Sequence, residues 1–413
     1  MDQLDTIQTE DQPAPARAWL VFVIIYLFID YARPQDTIKV LGYLRPSMFM
    51  VIILTIFIIR NRQLINWKIP QIRMALFFIM LLALEIPFAV NRHKAFNTVT
   101  TLLLMMPFVI SSTCCVHTLN RLKTVLFYVL LFMAYQAQFA IRHHGCGTGS
   151  QFFDENDLSL FINTWLPFCF TFFISEKTPW KKIMFGIMGA LGIAANVIGR
   201  SRGGFMGLIV MFFIFWLFNP KKLVSLLVIG IIAISLYLFA GEQYWGRIST
   251  SSKTNEGTAK ARIESWKSGW KMFKANPLGV GGNNFQVRFS EYQTDWFQRG
   301  MWGRVAHSLW FTLLPETGLI GTFIYLFLLF INFRDVFRLR VKSKLFNEED
   351  SKFLKNLSVS LIASLAGFFT SATFISVLYY SHYWYICGII ASSTLIINNS
   401  TAPIPDRNPA DVT

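Results

Sequence analysis

The sequence predicts an all-α, polytopic membrane protein of about twelve transmembrane helices with one large loop outside the cytoplasm. Three observations carry this. Of 413 residues, 54% are hydrophobic and 15% charged, and Phe alone occurs 41 times. That balance belongs to an integral membrane protein and excludes a soluble domain. The apolar residues also fall in separate runs, each with its flanks near the roughly 17–25 residues that a spanning helix needs. Finally, Lys and Arg gather in every second loop.

The runs centre on 18–30, 46–59, 72–90, 98–116, 122–141, 157–175, 182–198, 203–218, 222–240, 306–333, 356–379 and 382–397. Ahead of them, Met1–Arg17 is polar and reads as a short cytoplasmic tail. It is not a signal peptide, because the run after it has no A-x-A-like cleavage site and ends in Asp30-Tyr31-Ala32-Arg33-Pro34. Nine spans are expected over 18–240, a large loop over 241–305, three spans over 306–397 and a second tail over 398–413. The basic loops carry Arg60, Arg62, Lys68 and Arg73, then Arg121 and Lys123, then Lys177, Lys181 and Lys182, then Lys221 and Lys222. The last carries Arg334, Arg338, Arg340, Lys342 and Lys344. An excess of basic residues in short loops marks the cytoplasmic side, so both termini belong there. Much of the net charge of +15 is thus an orientation signal. It is scattered between spans rather than gathered in one domain, which argues against a nucleic-acid partner.

Five cysteines, Cys114, Cys115, Cys146, Cys169 and Cys387, imply no disulfide framework, since only Cys146 faces outward. His143-His144-Gly145-Cys146 admits a metal or a plain loop tip. The loop tip is favoured, because no carboxylate or second Cys/His pair stands at ligand spacing.

The loop 241–305 holds 10 Lys/Arg against 5 Asp/Glu. Within it, Thr258–Lys274 reads as a helix. Ile263, Trp266, Trp270 and Phe273 form one apolar stripe on it, and Lys260, Lys267, Lys271 and Lys274 take other faces. Such a helix lies in the headgroup region of a bilayer or packs on the protein's own spans. Asn276-Pro277-Leu278-Gly279-Val280-Gly281-Gly282 then ends it in turns. As a phosphate-cradling loop this stretch is weak, since no strand precedes it. Net positive charge, an aromatic stripe and a direct link to the next span suggest a lid whose half after Pro277 opens.

The residues suited to chemistry stand on this outer side. His307 opens the tenth run, in Arg304-Val305-Ala306-His307-Ser308-Leu309-Trp310. Ionisable groups beside a membrane span are costly and tend to be functional, and imidazole takes up a proton near neutral pH. Gly199-Arg200-Ser201-Arg202-Gly203-Gly204 joins the seventh and eighth spans and holds two arginines at the membrane surface. Arginine offers phosphate oxygens a planar fork of donors, and the glycines allow close backbone approach. A plain interfacial anchor is the other reading. Arg262 stands four residues before Trp266, where it points at the same cavity or stacks on that ring.

Residues 306–333 as one helix would be about 42 Å long, more than the hydrocarbon core needs. Pro315, Gly318 and Gly321 therefore argue for a break, with Glu316 as its structural cap rather than a partner of His307. Asp154-Glu155-Asn156-Asp157 reads first as a cap for the sixth span, with Asn156 or Asp157 near its start. A sugar or cation site is the second reading. Asp30-Tyr31-Ala32-Arg33-Pro34-Gln35-Asp36 reads as a salt-linked turn.

Ser201-Arg202-Gly203-Gly204, Arg262…Trp266 with Asn276-Pro277-Leu278-Gly279-Val280-Gly281, and His307-Ser308-Leu309…Glu316-Thr317-Gly318-Leu319-Ile320-Gly321 resemble the O-antigen ligase and polymerase superfamily in order and spacing, across roughly residues 190–325. Tyr31-Ala32-Arg33-Pro34-Gln35-Asp36 and Asp154-Glu155-Asn156-Asp157-Leu158 resemble its subgroup of O-glycosylation ligases associated with exosortase systems. The resemblance implies a twelve-helix inner-membrane enzyme with a periplasmic active site. Its implied donor is a glycan on undecaprenyl pyrophosphate. The implied acceptor is a hydroxyl of lipid A-core, a polysaccharide or a protein. Arg202 and Arg262, with Arg200 placed beside them, would bind the pyrophosphate, and His307 would activate the acceptor. Glu316, Gly318 and Trp266 would support the site.

Residues and resemblance agree on one expectation: an inverting glycosyl transfer that uses no cofactor and, lacking an Asp-x-Asp motif, no metal. A repeat-unit polymerase and a protein O-oligosaccharyltransferase share the same motifs. A flippase for lipid-linked sugars is the reading outside enzymes. It needs charges through the bilayer thickness, whereas these gather on one face.

Overall fold

The computed structural model describes residues 14–223, 226, 227, 230, 256–297 and 301–400. Its helices are α1 (Ala14–Tyr31), α2 (Pro34–Thr37), α3 (Lys39–Tyr43), α4 (Pro46–Arg60), α5 (Pro70–Glu85), α6 (Arg92–Cys115), α7 (Leu119–Arg142), α8 (Glu155–Ser175), α9 (Pro179–Ile198), α10 (Arg202–Phe218), α11 (Glu256–Ala275), α12 (Phe285–Tyr292), α13 (Leu309–Lys342), α14 (Glu348–Ala372) and α15 (Ser381–Ser400). There is no strand among the described residues. Every apolar run except 222–240 coincides with a helix, and that one falls almost wholly outside the described residues. Among the described residues, seven helices have the length and apolar character to cross a membrane, and α4 and α10 are shorter apolar helices. The protein is a multi-pass membrane protein.

The helices alternate in direction, so their ends form two surfaces. Polar contacts join the connections at one end. Lys123 and Lys177 pair with Asp350 and Glu349, in the acid-rich first turn of α14 where the helix dipole favours negative charge. Cys114 lies against the Leu64 carbonyl, Arg340 lies over Phe218, and Lys342 bonds Asn398. All the connections expected to be cytoplasmic therefore meet there. The opposite end gathers residues 30–46, 86–92, 142–155, 198–202, 256–297, 301–309 and 373–381, linked by Arg33 to Gln151, Asn91 to Asn284, Ser201 to Asn156, and Ser381 to Asp30.

In the middle, α14 packs against α8 and α10 on a face of small polar residues. Apolar burial alone distinguishes helix from lipid poorly, so close backbone approach and internal hydrogen bonds specify such interfaces. Ser360 and Ser364 donate to the Pro167 and Thr164 carbonyls at 2.7 and 2.6 Å. Asn163 donates to the Gly204 carbonyl and to Ser371 and accepts from Asn196. A Cβ at Gly207 would stand 2.8 Å from the Gly367 carbonyl oxygen, so only glycine permits this approach. The start of α10, which carries Arg202, is thereby fixed to the bundle core.

Candidate active site

The loop before α10 is built as expected of a helix start, but its glycines do a different job. Ser201 Oγ accepts from the Gly204 amide at 3.0 Å and donates to Asn156 at 2.7 Å. This caps α10 and ties it to the beginning of α8. Gly203 and Gly204 are buried against Phe374 and Ser159 and serve helix packing rather than ligand approach. Arg200, in the left-handed region at φ 53°, and Arg202 are both exposed. Neither finds an acidic partner among the described residues.

The acidic stretch before α8 starts the helix at Glu155, with Asp154 as the cap. Asp154 accepts from the Asn156 amide at 2.7 Å, two or three residues ahead of the expected position. Asn156 instead accepts from Ser201, and Asp157 accepts from Tyr380. Beside it, the Asp30–Asp36 turn is salt-linked by Arg33 to Asp36, with Arg33 also reaching Gln151 and Ser150. His143 stacks on Phe139 at 3.8 Å at the end of α7, in the loop-tip arrangement.

On α11 the buried face is not the aromatic stripe. Glu264, Ser265, Ser268, Gly269 and Met272 face inward, while Ile263 and Trp270 are 47% and 46% exposed. The reason is distance: a Cβ at Gly269 would stand 3.1 Å from the Phe311 carbonyl oxygen, an approach that large side chains forbid. Trp266 is the member of the stripe that docks. Its ring stacks on Phe311 at 5.3 Å, and its Nε1 donates to the Ala306 carbonyl at 3.1 Å. Arg304 Nε donates to Ser265 at 2.7 Å and lies over Phe297. These contacts hold the first half of α11 against residues 304–311.

His307 is half-buried there at φ 49° and makes no hydrogen bond among the described residues. Burial pushes its pKa below the ordinary value, the Arg262 and Arg304 guanidiniums push it further down, and the Asp154 carboxylate opposes them. Arg262 is itself held low by burial and then by Arg202. Arg304 is held low by burial and then by Arg262. These repulsions run from Arg202 to Arg262, from Arg262 to Arg304, and from Arg262 and Arg304 to His307, so the groups stand near one another. Arg200 shares the loop of Arg202, and no contact ties it to the others. Sequence reasoning did not connect Arg304 or Asp154 with His307, because only the fold brings them near it.

The stretch 277–285, where the half expected to open as a lid begins, is hydrogen-bonded to α13. The chain breaks at Gly318, at φ 60° and ψ −164°. There the Val280 and Gly281 amides donate to the Pro315 and Glu316 carbonyls, and the Leu319 amide donates to the Pro277 carbonyl. The buried Glu316 carboxylate accepts from the Asn283 and Phe285 amides at 2.9 and 3.0 Å and from the Tyr379 hydroxyl at 2.6 Å. Glu316 thus caps α12 and clamps the glycine-rich stretch onto α13. The Gly279, Val280, Gly281 and Asn283 amides of that stretch are used on Asn276, Pro315 and Glu316.

A family model described as O-antigen ligase (Wzy_C) matches residues 168–326. These residues are similar to an O-antigen ligase domain. The match takes in Arg200, Arg202, Arg262, Trp266, His307, Glu316 and Gly318. It ends within α13 and leaves out the Asp30–Asp36 and Asp154–Asp157 stretches that resemble the exosortase-associated subgroup. Its reach supports a glycosyltransferase of the O-antigen ligase and polymerase kind. Among curated proteins, no significant match to the chain was found.

Proposed function

We propose that the protein transfers a glycan from an undecaprenyl-pyrophosphate donor to an acceptor hydroxyl at the periplasmic face of the bacterial inner membrane. One observation carries the reading: an imidazole with no hydrogen bond among the described residues, its pKa held low by burial and neighbouring cations, stands beside arginines with no acidic partner among those residues. The basic connections at the opposite end support a cytoplasmic assignment for that end and for both termini.

In the proposed step the acceptor O–H gives its proton to the free nitrogen of His307. The oxygen attacks the anomeric carbon as the bond to the pyrophosphate oxygen breaks. The electron pair leaves with the pyrophosphate, where Arg202 and Arg262, with Arg200 at the rim, stabilise the growing charge. One such displacement inverts the anomeric configuration. Arg304 keeps His307 deprotonated, and Trp266 sets the position of Arg262 through the first half of α11. A polymerase or a protein O-oligosaccharyltransferase would use the same groups on a different acceptor. A flippase is disfavoured because the cluster occupies one end only.

Arg202→Lys is expected to lower transfer although the charge is kept, because a point charge does not make the bidentate contact. Transfer by the wild-type protein should survive chelation. Loss with chelator and recovery with magnesium would replace the arginine-only scheme. Trp266→Ala should lower turnover by about 10–10²-fold by releasing Arg262 from its position. Steady-state kinetics on the purified variant test this, and an unchanged turnover would remove Trp266 from the site's support.

A further inference from the structure

A second compartment lies at the same end of the bundle, separated from His307 by the connection between α14 and α15. Its volume is about 610 Å³. One connection, residues 373–381, serves both sides. Trp310 and Thr312, just after His307, bond Thr373 and Ser376, while Ser376, Tyr379 and Tyr380 line the cavity.

The lining has two characters. Toward the interior it presents Asp30, Gln151, Asn283, Tyr26 and Tyr385. Several of their polar atoms have no partner among the described residues. Gln151 uses only its carbonyl oxygen, on Arg33, which leaves the amide nitrogen free. Asn283 uses its two nitrogens, on Glu316 and Thr98, which leaves the side-chain oxygen free. Asp30 is hydrogen-bonded by the Ser381 and Tyr385 hydroxyls. Toward the outside the lining is Met48 and Val51 of α4 with Leu104 and Met105 of α6. Ser47, Met48 and Thr101 are exposed at the mouth. Apart from Leu54, α4 is not fully buried, and it is apolar enough to meet lipid on this side of the cavity. No Lys, Arg or His is among the lining residues. The chemistry is therefore opposite to that of the arginine cluster: it does not favour a phosphate, and it suits hydroxyls above an apolar tail.

We propose that this cavity binds an uncharged glycolipid, with its sugar on Asp30, Gln151 and Asn283 and its chain leaving between α4 and α6. The proposal rests on the glycosyl-transfer reading for its biological sense. Its test requires no transfer, so either can fail without the other.

The probe is an alkyl glucoside with a diazirine in its chain, added to the full-length protein in phosphatidylcholine nanodiscs, with labelled peptides mapped after irradiation. Labelling is expected on the peptides that carry residues 47–51 and 101–105. Excess dodecyl maltoside should reduce it about tenfold, while dodecylphosphocholine at the same concentration should not. Val51→Trp, which fills the mouth, should abolish the label, and Gln151→Ala should weaken the maltoside competition. Equal competition by both detergents would show a slot for hydrocarbon alone and overturn the proposal. Absence of enrichment on those peptides in the wild-type protein would overturn it as well, whether or not the variants fold.

Discussion

His307→Ala is expected to lower transfer by about 10²–10⁴-fold, the range supplied by a positioned general base. The side chain makes no hydrogen bond among the described residues, so the bundle should assemble and unfold as before. The pH dependence gives a sharper signature. Burial, Arg262 and Arg304 hold the imidazole below its ordinary value, so the neutral, proton-accepting form persists into mildly acidic solution. The acid limb of kcat/KM should then lie below the ordinary histidine value of about 6.5. Activity is retained above the lowered pKa and lost as pH falls through it. Arg304→Gln removes one repelling cation and should move that limb upward. A limb that stays put, or a His307→Ala variant with normal turnover, would take His307 out of the chemistry.

Gly318→Ala is expected to be as damaging by a different route. Gly318 stands in backbone space that is essentially confined to glycine, which alone costs an alanine about 1–3 kcal/mol. Its new Cβ would also meet the Leu278 carbonyl carbon, the Pro277 oxygen and the Gly279 nitrogen, all backbone atoms with no rotamer to yield. The clamp between the glycine-rich stretch and α13 must open or shift. Glu316→Gln tests the same clamp more gently. It keeps the shape but turns an amide N–H₂ toward one of three donors, and each buried group left unsatisfied costs about 1–3 kcal/mol. Thermal unfolding in detergent should fall for both variants, with transfer falling in parallel. If Gly318→Ala unfolds at the wild-type temperature and retains activity, the clamp does not position the site.

The spans were legible because a bilayer demands long apolar runs, and the break in α13 because Pro315, Gly318 and Gly321 interrupt one. Glu316 was readable as a cap, but not what it caps: its amide donors, Asn283 and Phe285, lie about thirty residues away across a loop. The face by which α11 meets the protein was not legible, for a physical reason. Periodicity finds large apolar residues, whereas this helix approaches its neighbour on Ser265, Ser268 and Gly269 and leaves Ile263 and Trp270 outside. Gly203 and Gly204 misled in the same way, since small residues serve tight helix packing as readily as ligand approach. Arg202, Arg262 and His307 stood out in the sequence as ionisable groups beside membrane spans. The part played by Arg304 in tuning the imidazole depends on a fold contact, its bond to Ser265, that no local pattern reveals.

The most direct test is single-turnover transfer in proteoliposomes, with purified protein, a glycan labelled on undecaprenyl pyrophosphate, and an acceptor bearing a free sugar hydroxyl. The wild-type protein should move the label to the acceptor with inversion at the anomeric carbon and release the lipid pyrophosphate. His307→Ala and Arg202→Lys should leave most label on the donor. Movement of intact donor across the bilayer without cleavage, or equal transfer by His307→Ala, would contradict the account.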